Sequence, residues 1–447
     1  MFSKLTKRLS GMQLIAVGFF IIILIGTLLL MLPVSSRSGE YTPFMTALFT
    51  ATSASCVTGL IVVDTFSHWS LFGQLVILTM IQIGGLGFIT IGVTVSMLLR
   101  KKIGLAQRGL IRESLNVIEL SGMVRLTKRI VIGTLFFELT GALILALCFI
   151  PKMGLLHGIY YGIFHSISAF CNAGFDLMGR YEAFSSLTGW YDQPIVLITI
   201  MLLIIIGGIG FVVWNDLYEH RLHFRKYSLH TKIVLTANLF LLFVGALLFY
   251  LIEHDDLFAG MTMTGKILSS FFCAVTPRTA GFNTVNVGGL TDASKLLTVI
   301  LMFIGGAPGS TAGGIKVTTI VVLLVYLKAN LTRTVGYNIF GRRLEDDALR
   351  KSAAVFCTNL FLATTAALIL CTLQNFNGMD TLLEVFSAIS TVGMTAGLTT
   401  QLNMISRMVV ILLMYLGRVG SLSFAMSFTD KKKIAHVMQP AEKINIG

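Results

Sequence analysis

The chain has 447 residues, of which 55% are hydrophobic and 12% charged, and its mean hydropathy is +0.83. These values exclude a water-soluble multidomain protein and fit a polytopic membrane protein. The formal charge of +13 does not argue for a nucleic-acid partner, because its distribution along the chain follows a different logic.

The first apolar run, residues 14–32, follows Lys4, Lys7 and Arg8 and carries no charge. It exceeds the roughly 7–15 residues of a signal-peptide core and approaches the roughly 20 needed to cross a bilayer, so a retained first span is expected. Further crossing segments are expected at 71–99, 130–150, 194–213, 233–252, 295–327, 353–373 and 408–428, giving eight spans. Between successive pairs lie four semi-apolar segments, "FMTALFTATSAS", "IYYGIFHSISAF", "KILSSFFCAVTP" and "TLLEVFSAIS". Each is too short to cross, which predicts four re-entrant helices.

The sixth span is interrupted at residues 305–316 by "GGAPGSTAGGIK". Gly309 and Gly314 have Walker A spacing, but the motif then requires Lys followed by Ser or Thr, and the chain has Ile315 and Lys316. A phosphate loop is therefore not indicated. The six cysteines form no C-x-x-C pair and lie in or beside apolar segments, which points to packing rather than to zinc or a disulfide framework.

Eight spans put the loops alternately on two sides. One side (the N-terminus, 100–129, 221–232, 328–351 and 431–443) holds 25 of the 34 Lys and Arg residues, so it is expected to be cytoplasmic, with both termini inside. Anionic membrane lipid is a secondary use for that charge. The other side carries acids, including Glu40, Asp64, Asp176, Glu182, Asp192, Glu253, Asp255, Asp256, Asp292 and Asp380. They form either solvated loops or a vestibule that concentrates cations.

Each short segment leads into a glycine: "SCVTGL" (Gly59), "FCNAGF" (Gly174), "PRTAGF" (Gly281) and "ISTVGM" (Gly393). A second mark follows in the next span: "GGLG" from Gly84, "GGIG" from Gly207, "GGAP" from Gly305 and "GRVG" from Gly417. Two marks in register across four units predict an internal repeat. The expected fold is an all-α polytopic membrane protein of four fused span, re-entrant loop, span units around one central pore, like a potassium channel. The expected units are 1–112, 113–227, 228–345 with the loop 305–316 inside it, and 346–447 with a cytoplasmic tail. Non-helical backbone at membrane depth must be buried in protein or line water. Four such loops on one axis meet that condition, and their carbonyls can replace the hydration shell of a cation. Glycine accepts positive φ at no steric cost, and the C-terminal ends of the re-entrant helices favour cations. The alternative is that the glycines serve close helix packing.

On "CVTGL", "CNAGF", "TPRTAGFN", "STVGMT", "QIGGLGF", "GGIGF", "GSTAGGIK" and "GRVGSL", the chain resembles the Ktr/Trk/HKT potassium transporter superfamily, most closely membrane subunits of the KtrB/KtrD type, over nearly its whole length. The resemblance implies potassium uptake across the cell membrane, a homodimer, and a cytosolic nucleotide-binding regulatory ring of the KtrA/KtrC kind. It implies a selectivity filter made of Val57, Thr58 and Gly59; Asn172, Ala173 and Gly174; Thr279, Ala280 and Gly281; and Thr391, Val392 and Gly393. These residues would hold K+ as the transported ion. Pro308 stands where relatives often have a small residue.

Arg418 and Lys316 lie within spans, where a lipid-facing cation costs about 2.5–3.5 kcal/mol or more, so both are expected to face protein or water. Arg418 takes the place in the fourth mark that Gly85, Gly208 and Gly306 take in the others. It is expected to form a gate with Gly305, Gly306, Gly309, Ser310, Thr311, Gly313, Gly314 and Lys316; a salt bridge to an acid is the alternative. Glu138 is expected as a neutral acid bonded between helices, or else an ion site, and Arg278 as a brace on neighbouring carbonyls rather than an ion contact, or else an outward-facing cation. No nucleophile-base set, complete Walker motif or G-x-G-x-x-G is present, so catalysis has no residues to carry it, and no cofactor is expected on this chain. Any nucleotide would belong to the regulatory partner. K+ uptake, with sodium dependence open, stands against a Na+-preferring pore, a membrane-embedded enzyme using Lys316, and a purely structural subunit.

Overall fold

The computed structural model describes residues 11–99, 104, 108–110, 122–221, 223–334 and 336–420. The basic residues Lys4, Lys7 and Arg8, the far end of the expected eighth span and the 421–447 tail lie outside the described residues. The four expected first spans are continuous helices: α1 (Gly11–Met31), α5 (Met123–Met153), α9 (Leu229–Glu253) and α13 (Asp346–Leu373). Each contains an apolar stretch long enough to cross a membrane. Phe20, Leu139 and Phe361 are 59%, 67% and 69% exposed on their outer faces, the inverse of a soluble protein.

The four short segments are helices that end inside the protein: α2 (Phe44–Ser55), α6 (Leu155–Phe170), α10 (Met263–Val275) and α14 (Gly378–Ile389). Each is followed by an extended loop and then by a second helix: α3 (Leu71–Leu86), α7 (Pro194–Gly208), α11 (Asp292–Phe303) or α15 (Met404–Val419). Local chemistry sets where these begin. Ser70, Thr291 and Asn403 accept from the amides of Gly73, Ser294 and Ser406, satisfying orphan donors of the first turn. Pro194 opens the remaining one at the position where a missing N–H costs nothing. Small residues let the re-entrant helices press close: a Cβ on Gly162 would lie 2.7 Å from the Ala142 carbonyl oxygen.

The second spans are where the structure departs from expectation. The runs 71–99 and 194–213 are expected as single spans, with an interruption in the third copy alone. Instead α3 turns by 92° into α4 (Phe88–Leu98), and α7 by 95° into α8 (Phe211–His220). The turning residues Gly87 and Gly210 have φ +79° and +96°, and Gly420, at the end of α15, has +95°. These are the final glycines of "GGLG", "GGIG" and "GRVG". The third copy has Pro308 at that place, whose ring holds φ near −65°. There the chain continues as a loop, with positive φ at Gly309 and Gly314, before α12 (Val317–Leu331) begins.

At Gly210 a Cβ would meet the Pro308 carbonyl oxygen at 2.8 Å, whereas at Gly87 it would meet nothing within 4 Å. Left-handed backbone costs an L-residue about 1–2 kcal/mol. Gly87→Ala is expected to lower the thermal midpoint of the detergent-solubilised protein slightly, and Gly210→Ala clearly more. Equal shifts would mean that the contact with the loop adds nothing.

Candidate functional site

The four glycine loops meet. A Cβ built on Gly59 would lie 2.5 Å from the Ala173 carbonyl oxygen, one on Gly174 2.7 Å from that of Ala280, and one on Gly281 2.5 Å from that of Val392. One on Gly393 would overlap the Thr58 carbonyl oxygen. The loops thus close a ring in chain order, first to second to third to fourth to first, with the carbonyl that precedes each glycine against the glycine of a neighbouring loop. All twelve residues implied as a filter lie in this ring and are buried.

The backbone of each loop follows one pattern. Val57, Asn172, Thr279 and Thr391 have φ between +54° and +71°, and the glycines two residues later have φ between +71° and +94°. The residues between them stay at negative φ. Alternation of left- and right-handed residues turns successive carbonyls towards one side. Val57, Thr279 and Thr391 are β-branched, for which positive φ is strained; such strain persists only where surroundings over-determine it.

Those surroundings include four hydroxyls that sequence reasoning missed. The amides of Gly59 and Gly393 donate to Ser53 Oγ and Ser387 Oγ, each at 3.0 Å. Ser168 Oγ and Thr276 Oγ1 donate at 2.6 Å to the carbonyls of Phe175 and Phe282, the residues after Gly174 and Gly281. The main chains of the same four residues accept from Thr58, Ala173, Ala280 and Val392 at 2.8–2.9 Å. The signal was present: a serine stands six residues before the glycine in three copies, and in the third a threonine stands five before it.

Beneath the ring lies the interrupting loop. Its ends are tied together by the Gly305 amide donating to Ile315 O (2.9 Å) and the Val317 amide to Gly306 O (3.1 Å). It is clamped to the bend of α7 and α8 by three further bonds: Ala307 N to Gly208 O, Thr311 N to Gly207 O and Phe211 N to Gly309 O. The Thr311 hydroxyl donates to Phe170 O at 3.2 Å and lies against the side-chain amide of Asn172. Gly313 and Gly314 pack on Thr391 and Ser390, and Gly305 faces the Thr279 methyl. Ser310 Oγ donates to Ala307 O within the loop. Of the expected gate residues, Gly305, Thr311, Gly313 and Gly314 thus touch the loops of the ring, while Gly306, Gly309 and Ser310 complete the same interrupting loop.

Two cations hold this assembly. Lys316 Nζ donates to Ala312 O (2.8 Å) and Gly313 O (3.1 Å). The Arg418 guanidinium donates to Thr311 O, Gly84 O and Gly85 O, linking the fourth unit to the loop of the third and to the bend of the first. Its partners are main-chain carbonyls; among the described residues no ion pair includes it. The two cations line a cavity of about 280 Å³ with Gly85, Gly87, Ser310 and Gly420.

The remaining charges have other partners. Arg278 is buried and donates to Asn238 on α9. It braces the main-chain and side-chain carbonyls of Asn238 on the spanning helix behind the loop, and does not face outward. Glu138 on α5 accepts from Gln82 Nε2 at 3.1 Å and lies 3.8 Å from Cys171 Sγ, which places it as a bond between helices. Among the outer acids, Asp64 caps a short helix and accepts from Phe184 N, and Glu253 accepts from the amide and hydroxyl of Thr291. Asp380 pairs with Lys295 at 2.8 Å. Asp64 and Glu253 are buried braces of loops, and the half-buried Asp380 ties α14 to α11, whereas Glu40, Glu182, Asp255, Asp256 and Asp292 are exposed. The six cysteines are free; Cys56, Cys171 and Cys273 are buried, while Cys357 and Cys371 are exposed rather than packed.

This arrangement has relatives. The chain is 41% identical to the potassium/sodium uptake protein NtpJ of Enterococcus hirae, over 99% of both chains. It is 39% identical to the Ktr system potassium uptake protein B of Bacillus subtilis, over 98% of this chain and 97% of the other. Its fold is similar to the crystal structure of the potassium transporter TrkH from Vibrio parahaemolyticus, with a TM-score of 0.71 at 19% identity over 92% of this chain and 85% of that one. The relatives are transporters, a class distinct from enzymes. The family described as TrkH, cation transport protein, matches residues 6–436, and the chain belongs to it as a multi-pass membrane protein.

Proposed function

We propose that this chain is the ion-translocating subunit of a Ktr-type system and passes K+ inward through the ring of four loops. The observation that carries this reading is the ring itself: four loops of one backbone pattern, each glycine against a neighbour's carbonyl. Carbonyls so arranged can replace the water around a cation, and re-entrant helices ending there add partial negative charge. The membrane potential supplies about 2.3 kcal/mol per charge per 100 mV, enough to drive uptake without ATP.

The units 1–112, 113–227, 228–345 and 346–447 each contribute one loop. Both termini lie in the cytoplasm, where a nucleotide-binding partner ring acts on a homodimer of this chain. The loop 305–316, with Arg418 and Lys316, acts as the gate. Lys316 spends its donors on the carbonyls of Ala312 and Gly313, which supports a structural place for it rather than a substrate-binding one.

The test is cation flux into liposomes holding the purified protein, with K+ and Na+ compared. Wild type is expected to favour K+, and Gly59→Ser to lose that preference. A wild-type reversal potential that follows the Na+ gradient would replace this reading with a sodium-preferring pore, and sodium in the trans compartment reads out any dependence on it.

A further inference from the structure

Three residues before each hydroxyl brace, on the same face of the re-entrant helix, stands a second buried residue: Thr50, His165, Cys273 and Glu384, none more than 4% exposed. The four are not alike. Glu384 accepts from Thr395 Oγ1 at 2.6 Å and from Thr399 Oγ1 at 2.5 Å. Thr395 lies two residues past Gly393 and in turn accepts from the Gly397 amide at 3.0 Å. His165 Nε2 accepts from the Leu177 amide at 3.4 Å, three residues past Gly174. In that tautomer Nδ1–H donates to Tyr161 O at 2.8 Å. The imidazole also lies 6.3 Å, between ring centroids, from Phe282, which follows Gly281. Among the described residues Thr50 and Cys273 make no such bond to the loop beyond their glycine.

The ring order makes the second and fourth loops opposite one another. These two are therefore held on both sides of the glycine: the hydroxyl braces fix the glycine or the residue after it, and Glu384 or His165 fixes the outer stretch. The first and third loops have no such anchor from their own re-entrant helices; their outer stretches bond instead to the segment between Phe184 and Leu187, through Asp64 and through Asn283. A filter that discriminates by cavity size must keep its carbonyls from closing around the smaller of two cations of equal charge, and a loop held at both ends moves less.

We propose that Glu384, with His165 opposite it, is a positioning residue for ion discrimination, anchoring the outer exits of the fourth and second loops so that the ring cannot contract. This rests on the K+-selective reading above. Neither side chain touches the ion; each acts through the loop it holds.

The test is the K+ to Na+ permeability ratio of purified full-length protein in liposomes, from reversal potentials in opposing gradients. Glu384→Ala is expected to lower the ratio by about tenfold, equivalent to 1.4 kcal/mol, while K+ flux remains measurable. Glu384→Gln, whose amide still bonds the threonine hydroxyls, is expected to keep most of the ratio, and His165→Ala to lower it less than Glu384→Ala. Thr50→Ala and Cys273→Ala are expected to leave it unchanged. Should Glu384→Ala fail to fold, the double variant Thr395→Ala, Thr399→Ala removes the same anchor from the loop side and is expected to show the same loss. A wild-type preference for K+ that survives in Glu384→Ala or in the double variant, at normal abundance, overturns the assignment alone. An equal loss in Thr50→Ala also overturns it, by assigning the effect to general packing behind the loops. A wild-type ratio near one overturns the K+-selective reading and this assignment with it.

Discussion

Gly393→Ala is expected to abolish K+ uptake, with liposome flux falling by at least about 100-fold, a rise of roughly 2.7 kcal/mol in the barrier. Two costs combine. The residue has φ +94°, which an alanine adopts only at about 1–2 kcal/mol. The added methyl would also fall on the Thr58 carbonyl oxygen and within 3.0 Å of Gly59 Cα and C, all backbone atoms that cannot rotate away. Relief requires the first and fourth loops to part, which breaks the ring where it closes. Gly397 separates the two costs: its φ is +97°, yet a Cβ there meets nothing within 4 Å. Gly397→Ala is therefore expected to lower stability modestly while leaving flux near wild type. Loss of flux in both variants would show that strain in the loop, and not ring closure, matters.

Arg418→Gln is expected to raise basal K+ flux by about tenfold or more. Two unit charges 4 Å apart interact by about 4 kcal/mol at an effective dielectric constant of 20, and no described acid offsets the guanidinium beneath the ring. Glutamine keeps some hydrogen bonding to the carbonyls of Thr311 and Gly84 while removing the charge. Arg418→Lys keeps the charge and loses the forked geometry. If charge is the barrier, the glutamine variant leaks and the lysine variant does not; if the tether is the barrier, both leak. Deletion of residues 309–314 is expected to raise basal flux and weaken regulation by the partner. Unchanged or reduced flux in Arg418→Gln of normal abundance would remove Arg418 from the gate.

Much of the architecture was legible because it rests on local properties. A charge-free run such as that of α1 announces a span by its length alone, and "FMTALFTATSAS" marks the whole of α2 because a short semi-apolar segment between two spans cannot cross. The glycines of the ring were legible because glycine accepts positive φ without a steric cost and recurs in the same setting four times; the four left-handed residues two positions earlier, Val57, Asn172, Thr279 and Thr391, carried no such mark. The same argument, applied to "GGLG" and "GGIG", would have found the bends at Gly87 and Gly210. It was missed because an uninterrupted apolar run reads as a straight span, although hydropathy is indifferent to direction. The hydroxyl braces were hidden by a one-residue offset in the third copy, where Thr276 stands closer to its glycine than Ser53, Ser168 and Ser387 do to theirs.

The partners of the charges were not legible in any such way. Arg418 reaches the Gly84 carbonyl across 334 residues of chain, Arg278 reaches Asn238 across 40, and Glu384 was not singled out at all. Sequence alone was enough to tell the segments that cross from those that turn back and to mark the four glycines of the ring, since apolar length and glycine's missing Cβ act within a few residues. Only the tertiary structure decided the order in which the four loops close, the burial of Asp64 and Glu253 as braces, and the carbonyls that hold Arg418 and Lys316. A buried polar group bonds to whatever the packed helices bring within about 3 Å of it, and packing brings together residues that the chain keeps far apart.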